Sequence, residues 1–421
     1  YNNHYRNIKP YGNYITENKI IDIYNVLLKS KKPIIYLGQG CVESQALLRD
    51  FAIKNNIPVT STIHGKGIFD DHHSLSLEWC GMHGLAAANY AIQESDCIVA
   101  LGSRFDDRTT GAINDYAPIA RKNKAIIHVN IEKSEINKAL ETNYNIHSSC
   151  EDFLLAIGDI IKYEGIIPKK QKWIQRVNKL KERYPFDLKF SSKENETNHF
   201  RLYKSYKKDL HMEEVIHELY KKTLNKDVVF TTGVGNHQMQ TYQFIKAQYP
   251  KKILSSGSLG VMGSGLPYAI GAQISNKDKL VIDIDGDSSF NMTMGDLKTI
   301  VENNLPIKIA IMNNNSQMMV TIWEKLYFDG RYTATLNERN PDYIELAKSF
   351  GIKAIQCCHP NMLNHTIDEF INYDGPILCE FKIKKDICLP LVGPGKALDD
   401  MILPGEVTLE TIQIDGNEVP S

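Results

Sequence analysis

The sequence predicts an α/β protein of two domains, each a doubly wound parallel sheet. Three observations lead there. Short apolar runs alternate with longer amphipathic segments, the pattern of strand–helix–strand units. The alternation breaks once, at about residues 163–210, where Lys, Glu and Asn crowd in. Several strand runs also end in Gly-rich or Asp/Asn-rich turns, at the carboxyl ends where open α/β sheets bind ligands.

A chain of 421 residues can bury a core in each of two domains. Its formal net charge is −1 with no basic face, which argues against a nucleic-acid or membrane-surface partner. Eight cysteines are scattered without a Cys-x-x-Cys pair, so neither a zinc site nor a disulfide framework is expected, and a reducing compartment is the simpler setting. No apolar run reaches the roughly 18 residues of a membrane span, and the polar N-terminus has no signal-peptide core. A soluble intracellular protein is expected.

Residues 1–16, polar and punctuated by Gly and Pro, read as an arm. A first domain over 17–165 opens with a helix, Glu17 to Ser30, carrying a broad apolar face of Ile20, Ile23, Tyr24 and Leu27. Pro33 to Leu37 is a buried strand ending in Gly38-Gln39-Gly40. Helix Glu43–Lys54, strand Ile57–Ser61, helix Gly84–Gln93, strand Asp96–Leu101, strand Ala125–Ile131 and helix Cys150–Lys162 follow. Residues 166–210 read as a linker, with a helix around Gln171–Arg183 and a Ser191–Glu196 polar run. The second domain, 211–390, has helix His211–Leu224, strand Val228–Thr232, strand Leu280–Ile284, helix Met292–Asn303, strand Ile307–Met312, helix Asp342–Phe350 and strand Ile377–Ile383. Residues 391–421 form a tail.

Chemistry concentrates at strand ends. Leu280–Ile284 runs into Asp285-Gly286-Asp287, and the next parallel strand runs into Asn313-Asn314. A carboxylate and an amide oxygen brought together there suit Mg2+, which takes one or two carboxylates and fills its octahedron with phosphate oxygens. The alternative is an ordinary βαβ unit whose polar residues cap a strand and a helix. Gly233-Val234-Gly235-Asn236-His237-Gln238 and Gly260-Val261-Met262-Gly263-Ser264-Gly265 let backbone approach a ligand, and a following helix offers free N–H groups to a diphosphate. Met262 between glycines is either core filler or a wedge against an organic ring. In the first domain Gly38-Gln39-Gly40 lacks the third glycine of a dinucleotide fingerprint, which favours a plain βα turn. The loop from Gly102 to Arg108 packs two arginines and two aspartates into five positions, either a solvated ion-paired loop or a ligand site.

Gly286-Asp287-Ser288 followed by Asn313-Asn314 resembles the thiamine-diphosphate motif of the thiamine-dependent enzymes, and the run Asp283 to Thr293 resembles the acetolactate synthase (acetohydroxyacid synthase) family more than other members. That resemblance implies a FAD-type middle domain and a thiamine-diphosphate domain. It implies Mg2+ on Asp287, Asn314 and the carbonyl of Ser316. It implies a thiamine diphosphate site of Val234, Gly235, His237, Gln238, Gly260, Met262, Gly286, Asp287, Ser288, Ser289, Asn314, Ser316, Gln317 and Met319. Met262 would support the bent cofactor, Trp323 would shape the second-substrate pocket, and the tail from Pro394 to Met401 would fold over the site as a lid. Gly38, Gly40, Thr62, Met82, His83, Gly84, Gly102, Arg104 and Asp106 would line FAD, with Arg104 near the second substrate's carboxylate.

This chain departs from the family pattern in four places. Asn130 replaces an acidic residue and Ser148-Ser149 a Gly-Asp pair, both near the nucleotide end of FAD. Ser316 replaces an acidic residue, and Met318 replaces a glycine beside the cofactor. The implied reaction is decarboxylation of pyruvate and its condensation with a second 2-oxo acid, giving 2-acetolactate or 2-aceto-2-hydroxybutyrate for branched-chain amino-acid synthesis. The family's pyrimidine-binding first domain, with its acid–base glutamate, has no counterpart in these residues, so it is expected in cis or in trans. The chain then reads as the C-terminal two-thirds of a catalytic subunit, expected to be inactive alone. A homodimer or tetramer, a regulatory subunit, and a plastid-type, mitochondrial or bacterial cytoplasmic setting are implied as well. The rivals are another thiamine carboligase such as glyoxylate carboligase, which Trp323 and the Arg104–Arg108 loop argue against, and a non-catalytic homologue of the same fold.

Overall fold

A computed structural model describes residues 15–186, 209–337 and 339–404. The rest of the expected arm, the Ser191–Glu196 run and residues 405–421 of the tail lie outside the described residues. The described chain forms two compact units, one of residues 15–185, 246–250 and 390–402, the other of residue 186, 209–245, 251–389 and 403–404.

The first unit is a six-stranded parallel sheet of β1 (Pro33–Leu37), β2 (Val59–Ser61), β3 (Ser76–Trp79), β4 (Cys97–Leu101), β5 (Ile126–Asn130) and β6 (Tyr144–His147), in the order β3-β2-β1-β4-β5-β6. Strands β1, β4 and β5 are buried along their whole length, as a sheet covered on both faces requires. Ile20, Ile23 and Leu27 of helix Glu17–Lys29, and Phe153, Ile157 and Ile160 of helix Cys150–Glu164, pack with Ile35, Val99 and Ile127 in one core. Ser149 caps the second of these helices by accepting from the Asp152 amide, so the serine pair before it has a local structural use.

Helix Gln171–Arg183, expected inside the linker, packs in this unit. It buries Trp173, Val177 and Leu180, and the Trp173 indole donates to the Pro33 carbonyl at 2.9 Å. Residues 391–402 of the tail belong here too. An antiparallel hairpin of Leu391–Val392 and Met401–Ile402 is anchored by the Val392 amide donating to the Met82 carbonyl and by Gln93 donating to Asp399.

The second unit has the strands β7 (Val228–Thr232), β8 (Ile253–Ser255), β9 (Leu280–Gly286), β10 (Lys308–Asn313), β11 (Lys353–Cys357) and β12 (Ile377–Lys382), all parallel, in the order β11-β12-β10-β9-β7-β8. The strand order reverses between β7 and β9, where such sheets open a crevice at their carboxyl ends. Four strands were not expected, β3, β6, β8 and β11. They are short, and β11 is mostly half-buried, so none shows the apolar run that marks a central strand.

The single helix expected over Met292–Asn303 is instead two pieces, a 3-10 turn Met294–Asp296 and helix Leu297–Glu302, preceded by a short helix, Asp287–Phe290. Thr293 leaves helical geometry and donates its hydroxyl to the Gly263 carbonyl, a tertiary bond that interrupts the local pattern.

Candidate cofactor site

In the second unit the register of β9 on β10 sets Gly286 opposite Met312, so Asp287 and the Asn313-Asn314 pair leave neighbouring strand ends side by side. The two asparagines have different fates. Asn313 is consumed by the fold: its amide donates to Glu380 at 2.7 Å, and its oxygen accepts from the Asn315 backbone. Asn314 is buried and its Oδ1 has no hydrogen-bond partner. A buried amide oxygen left unpaired costs about 1–3 kcal/mol, so it marks a place where something else is expected to bind. Asp287 is 2% exposed, and its carboxyl is pushed above the usual range, first by burial, with amide bonds from Asn337 and Asn340 opposing.

Ser316 places its hydroxyl on Thr321 at 2.7 Å and on the Thr335 carbonyl at 3.2 Å, so the side chain is structural and only its backbone carbonyl is open to a ligand role. Gln317 is half-buried, its amide nitrogen donating to Thr335. Met318 and Met319 open helix Met318–Tyr327, Met318 buried and Met319 half-buried. One turn on, half-buried Trp323 lies 5.2 Å from the Tyr327 ring.

The glycines of this unit have distinct reasons. His237 is buried with its ring against both Gly235 and Gly286: a Cβ at Gly286 would come within 2.8 Å of Nδ1, and one at Gly235 within 3.0 Å of Cε1. Gly286 before Asp287 therefore makes room for an imidazole. Gly235 has φ +152°, which favours glycine, and caps helix Asn236–Phe244, whose first amides face outward from the β7 end. Gln238 is fixed by a bond to Ser255, and Asn236 holds the Asp386 carbonyl while its own oxygen is unpaired. Gly260, at φ +65°, is exposed with Val234 as its nearest neighbour, and Met262 beyond it is half-buried. Ser289 accepts from the Gly263 amide at 2.9 Å, tying this turn to the end of β9, while Ser288 beside it is half-buried.

In the first unit the expected residues also sit at carboxyl ends of strands: Gly38 and Gly40 after β1, Thr62 after β2, Met82, His83 and Gly84 after β3, and Gly102, Arg104 and Asp106 after β4. The glycines here, however, serve one another. A Cβ at Gly38 would lie 2.1 Å from the Gly102 carbonyl oxygen, and one at Gly40 2.8 Å from the Gly102 Cα. Phe105, buried at φ +53° and stacked on Tyr36 at 5.4 Å, pins the loop between the exposed Arg104 and the half-buried Asp106. The Arg104 Nε is 3.8 Å from Asp106, whose carboxyl is raised by burial against the pull of that guanidinium.

Two regions match known families by description. Residues 20–157 match the thiamine pyrophosphate enzyme central domain, and residues 233–381 match the thiamine pyrophosphate enzyme C-terminal TPP-binding domain. The chain belongs to the thiamine pyrophosphate enzyme family.

Curated relatives share this pair of regions. The chain is 37% identical over 396 residues to the mitochondrial acetolactate synthase catalytic subunit of Saccharomyces cerevisiae, covering 91% of this chain and 55% of that one. It is 39% identical to the mitochondrial acetolactate synthase of Schizosaccharomyces pombe, covering 91% and 57%, and 38% identical to the acetolactate synthase large subunit of Cyanidium caldarium, covering 90% and 62%. The chain thus spans little more than half the length of these relatives.

As a thiamine pyrophosphate enzyme, the second unit offers donors that fit its cofactor. Among the described residues no cluster of three or more His, Cys, Asp or Glu side chains could hold a metal. A hard cation here would rest on one carboxylate, one amide oxygen and a backbone carbonyl, with diphosphate oxygens completing the shell, as Mg2+ prefers. FAD fits less well. Asn130, where an acidic residue was expected, donates to Ser103 and accepts from Glu132, so its amide is spent within the unit and leaves no carboxylate for a ribose.

Two residues were missed by sequence reading: Asn337 and Asn340, which donate to Asp287 at 2.9 and 2.7 Å. No spacing signal points to them. They arrive because segment Thr335–Asn337 pairs antiparallel with Asn315–Gln317, through Gln317 to Thr335 and Asn337 to Asn315 backbone bonds.

Proposed function

We propose that this chain carries the central and cofactor-binding parts of an acetolactate synthase catalytic subunit. The reaction is decarboxylation of pyruvate and joining of the two-carbon unit to a second 2-oxo acid, giving 2-acetolactate or 2-aceto-2-hydroxybutyrate. The observation that carries this reading is the buried Asp287–Asn314 corner with its unpaired amide oxygen, in a chain similar along both units to acetolactate synthases. Thiamine diphosphate, when bound, supplies the electron sink for losing CO2 from a 2-oxo acid.

The chain's own residues bind and orient. Asp287, the Asn314 oxygen and the Ser316 carbonyl hold Mg2+, and the first amides of helix Asn236–Phe244, with His237 and Gln238, receive the diphosphate. Ser288, Ser289, Gln317 and Met319 border the same corner. Met262, beyond Gly260 and Val234, would bear on the cofactor's ring system, and Trp323 would wall the second-substrate pocket. Arg104, in the first unit, has the planar guanidinium that suits a carboxylate.

The acid–base step that activates the cofactor belongs to the family's pyrimidine-binding domain, outside the two matched regions. The relatives' names, catalytic subunit and large subunit, support a regulatory partner subunit alongside a homodimer or tetramer of this chain, and the mitochondrial ones support an organelle as the setting. Among the described residues no helix is long and apolar enough to cross a membrane.

The test is product analysis with the protein purified from its own cells, offered pyruvate with or without 2-oxobutanoate, and glyoxylate separately. Formation of 2-acetolactate from pyruvate supports the reading; tartronate semialdehyde from glyoxylate would transfer it to a different carboligase. A second reading, cofactor binding without turnover, is favoured by Met318, whose thioether is buried where the family has glycine. It expects cofactor binding with no product from any 2-oxo acid.

A further inference from the structure

We propose that Asn337 and Asn340 are positioning residues that clamp one oxygen of Asp287 and aim the other at the cation. The inference rests on the reading of Asp287 as a cation ligand and adds what holds it. Both amides converge on Oδ2, Asn337 at 2.9 Å and Asn340 at 2.7 Å, so Oδ1 stays outside the clamp.

The direction of the amides is set by their surroundings. The buried Tyr343 hydroxyl donates to the Asn291 oxygen at 3.0 Å, the Asn291 amide donates to the Asn340 oxygen at 3.2 Å, and the Asn340 nitrogen is left to face the carboxylate. Flipping Asn340 would set oxygen against oxygen at Asp287. The same nitrogen lies 3.2 Å from the Asn313 oxygen and 3.0 Å from the Asn315 oxygen, so it also ties the end of β9 to the loop after β10. Asn337 makes a second bond, to the Ser288 hydroxyl at 2.6 Å, which fixes its amide in turn. A carboxylate gripped in this way loses its rotational freedom, and a ligand held by neutral donors keeps its full charge for the metal.

The experiment titrates Mn2+, read by electron paramagnetic resonance, into the full chain with thiamine diphosphate present, for the native protein, Asn337→Ala, Asn340→Ala and Asp287→Ala. Urea unfolding without metal or cofactor runs alongside. Outer-shell partners of this kind are worth about 10–100-fold in metal affinity, so each asparagine variant is expected to bind Mn2+ at least about 10-fold more weakly. Asn337→Ala should stay folded, its metal-free urea midpoint lowered only modestly by the loss of two side-chain bonds, because its backbone bond to Asn315 does not involve the side chain. Thiamine diphosphate affinity at saturating Mn2+ should stay near native. If Asp287→Ala abolishes Mn2+ binding while both asparagine variants bind like the native protein, the clamp is overturned and the cation reading stands. If Asp287→Ala itself binds Mn2+ normally, both are overturned.

Discussion

Replacing Gly233 by alanine is the sharpest test of how the end of β7 meets β9. A Cβ built there lies 2.0 Å from Asp285 Oδ1 and 2.1 Å from Ser289 Oγ, about 1.4 Å short of ordinary contact. Neither neighbour can easily retreat. Asp285 is fully buried on the strand and accepts from the Gly286 amide at 2.9 Å, and Ser289 accepts from the Gly263 amide at 2.9 Å. Overpacking of this kind costs about 1–3 kcal/mol, and disturbing the two hydrogen bonds about 1 kcal/mol each. The expected loss is therefore about 3–5 kcal/mol, confined to the second unit.

Gly271 provides the contrast. It sits in helix Gly265–Ser275 with nothing within 4 Å of its Cβ position, so Gly271→Ala should stabilise by up to about 1 kcal/mol. Hydrogen exchange by mass spectrometry reads both, with peptides over 280–286 reporting the second unit and peptides over 126–130 serving as an internal reference in the first. Equal protection of 280–286 in Gly233→Ala and the native chain would refute the packing argument.

In the first unit, Lys66 is buried between Asp71 at 2.8 Å and Glu78 at 3.3 Å. Lys66→Met leaves the buried Asp71 without a cation and the half-buried Glu78 with only Lys246 at 3.5 Å, and should cost about 3 kcal/mol at neutral pH in urea unfolding. With Asp71 already raised to about 6 by burial, the loss should shrink as pH falls below that value; a pH-independent loss would contradict it. Glu213, in the second unit, is pushed up to about 8, first by burial and then by Asp386. Its folded-state pKa lies above the unfolded one, so its protonated form favours folding at low pH and stability falls as pH rises through the window from about 4.5 to about 8. Glu213→Gln should flatten that fall in thermal unfolding between pH 5 and 9, and an unchanged slope would assign the pH dependence elsewhere. Trp173→Ala removes a 2%-exposed ring and its bond to Pro33, and should destabilise the first unit by about 3–5 kcal/mol in urea unfolding; a loss under about 1 kcal/mol would show that helix Gln171–Arg183 is only loosely held.

Much of the fold was legible because its central strands are continuous apolar runs. β1, β4, β7 and β10 lie within a residue or so of their expected bounds, since strands buried on both faces advertise themselves. The edge strands β3, β6, β8 and β11 did not, and the break at Thr293 arises from a bond to a residue thirty positions away. At the site, the sequence showed which residues stand at strand ends but not what each does there. Gly286 is present for His237, Asn313 for Glu380, and Gly38 and Gly102 for each other's backbones. The difference between Asn313 and Asn314 is invisible in a double asparagine and follows only from which way each faces as β10 ends. Asn337 and Asn340 were beyond reach for the same reason: their approach to Asp287 depends on the strand-like pairing of 315–317 with 335–337.

The central claim is that Asp287 and Asn314 anchor a diphosphate through a divalent cation. Calorimetric titration of thiamine diphosphate into the chain with Mg2+, and again with the metal chelated, tests it most directly. Binding that requires Mg2+ and is lost in Asp287→Ala and Asn314→Ala, with both variants folded by circular dichroism, is the result expected. Binding of equal strength with the metal removed, or in Asp287→Ala, would contradict the claim.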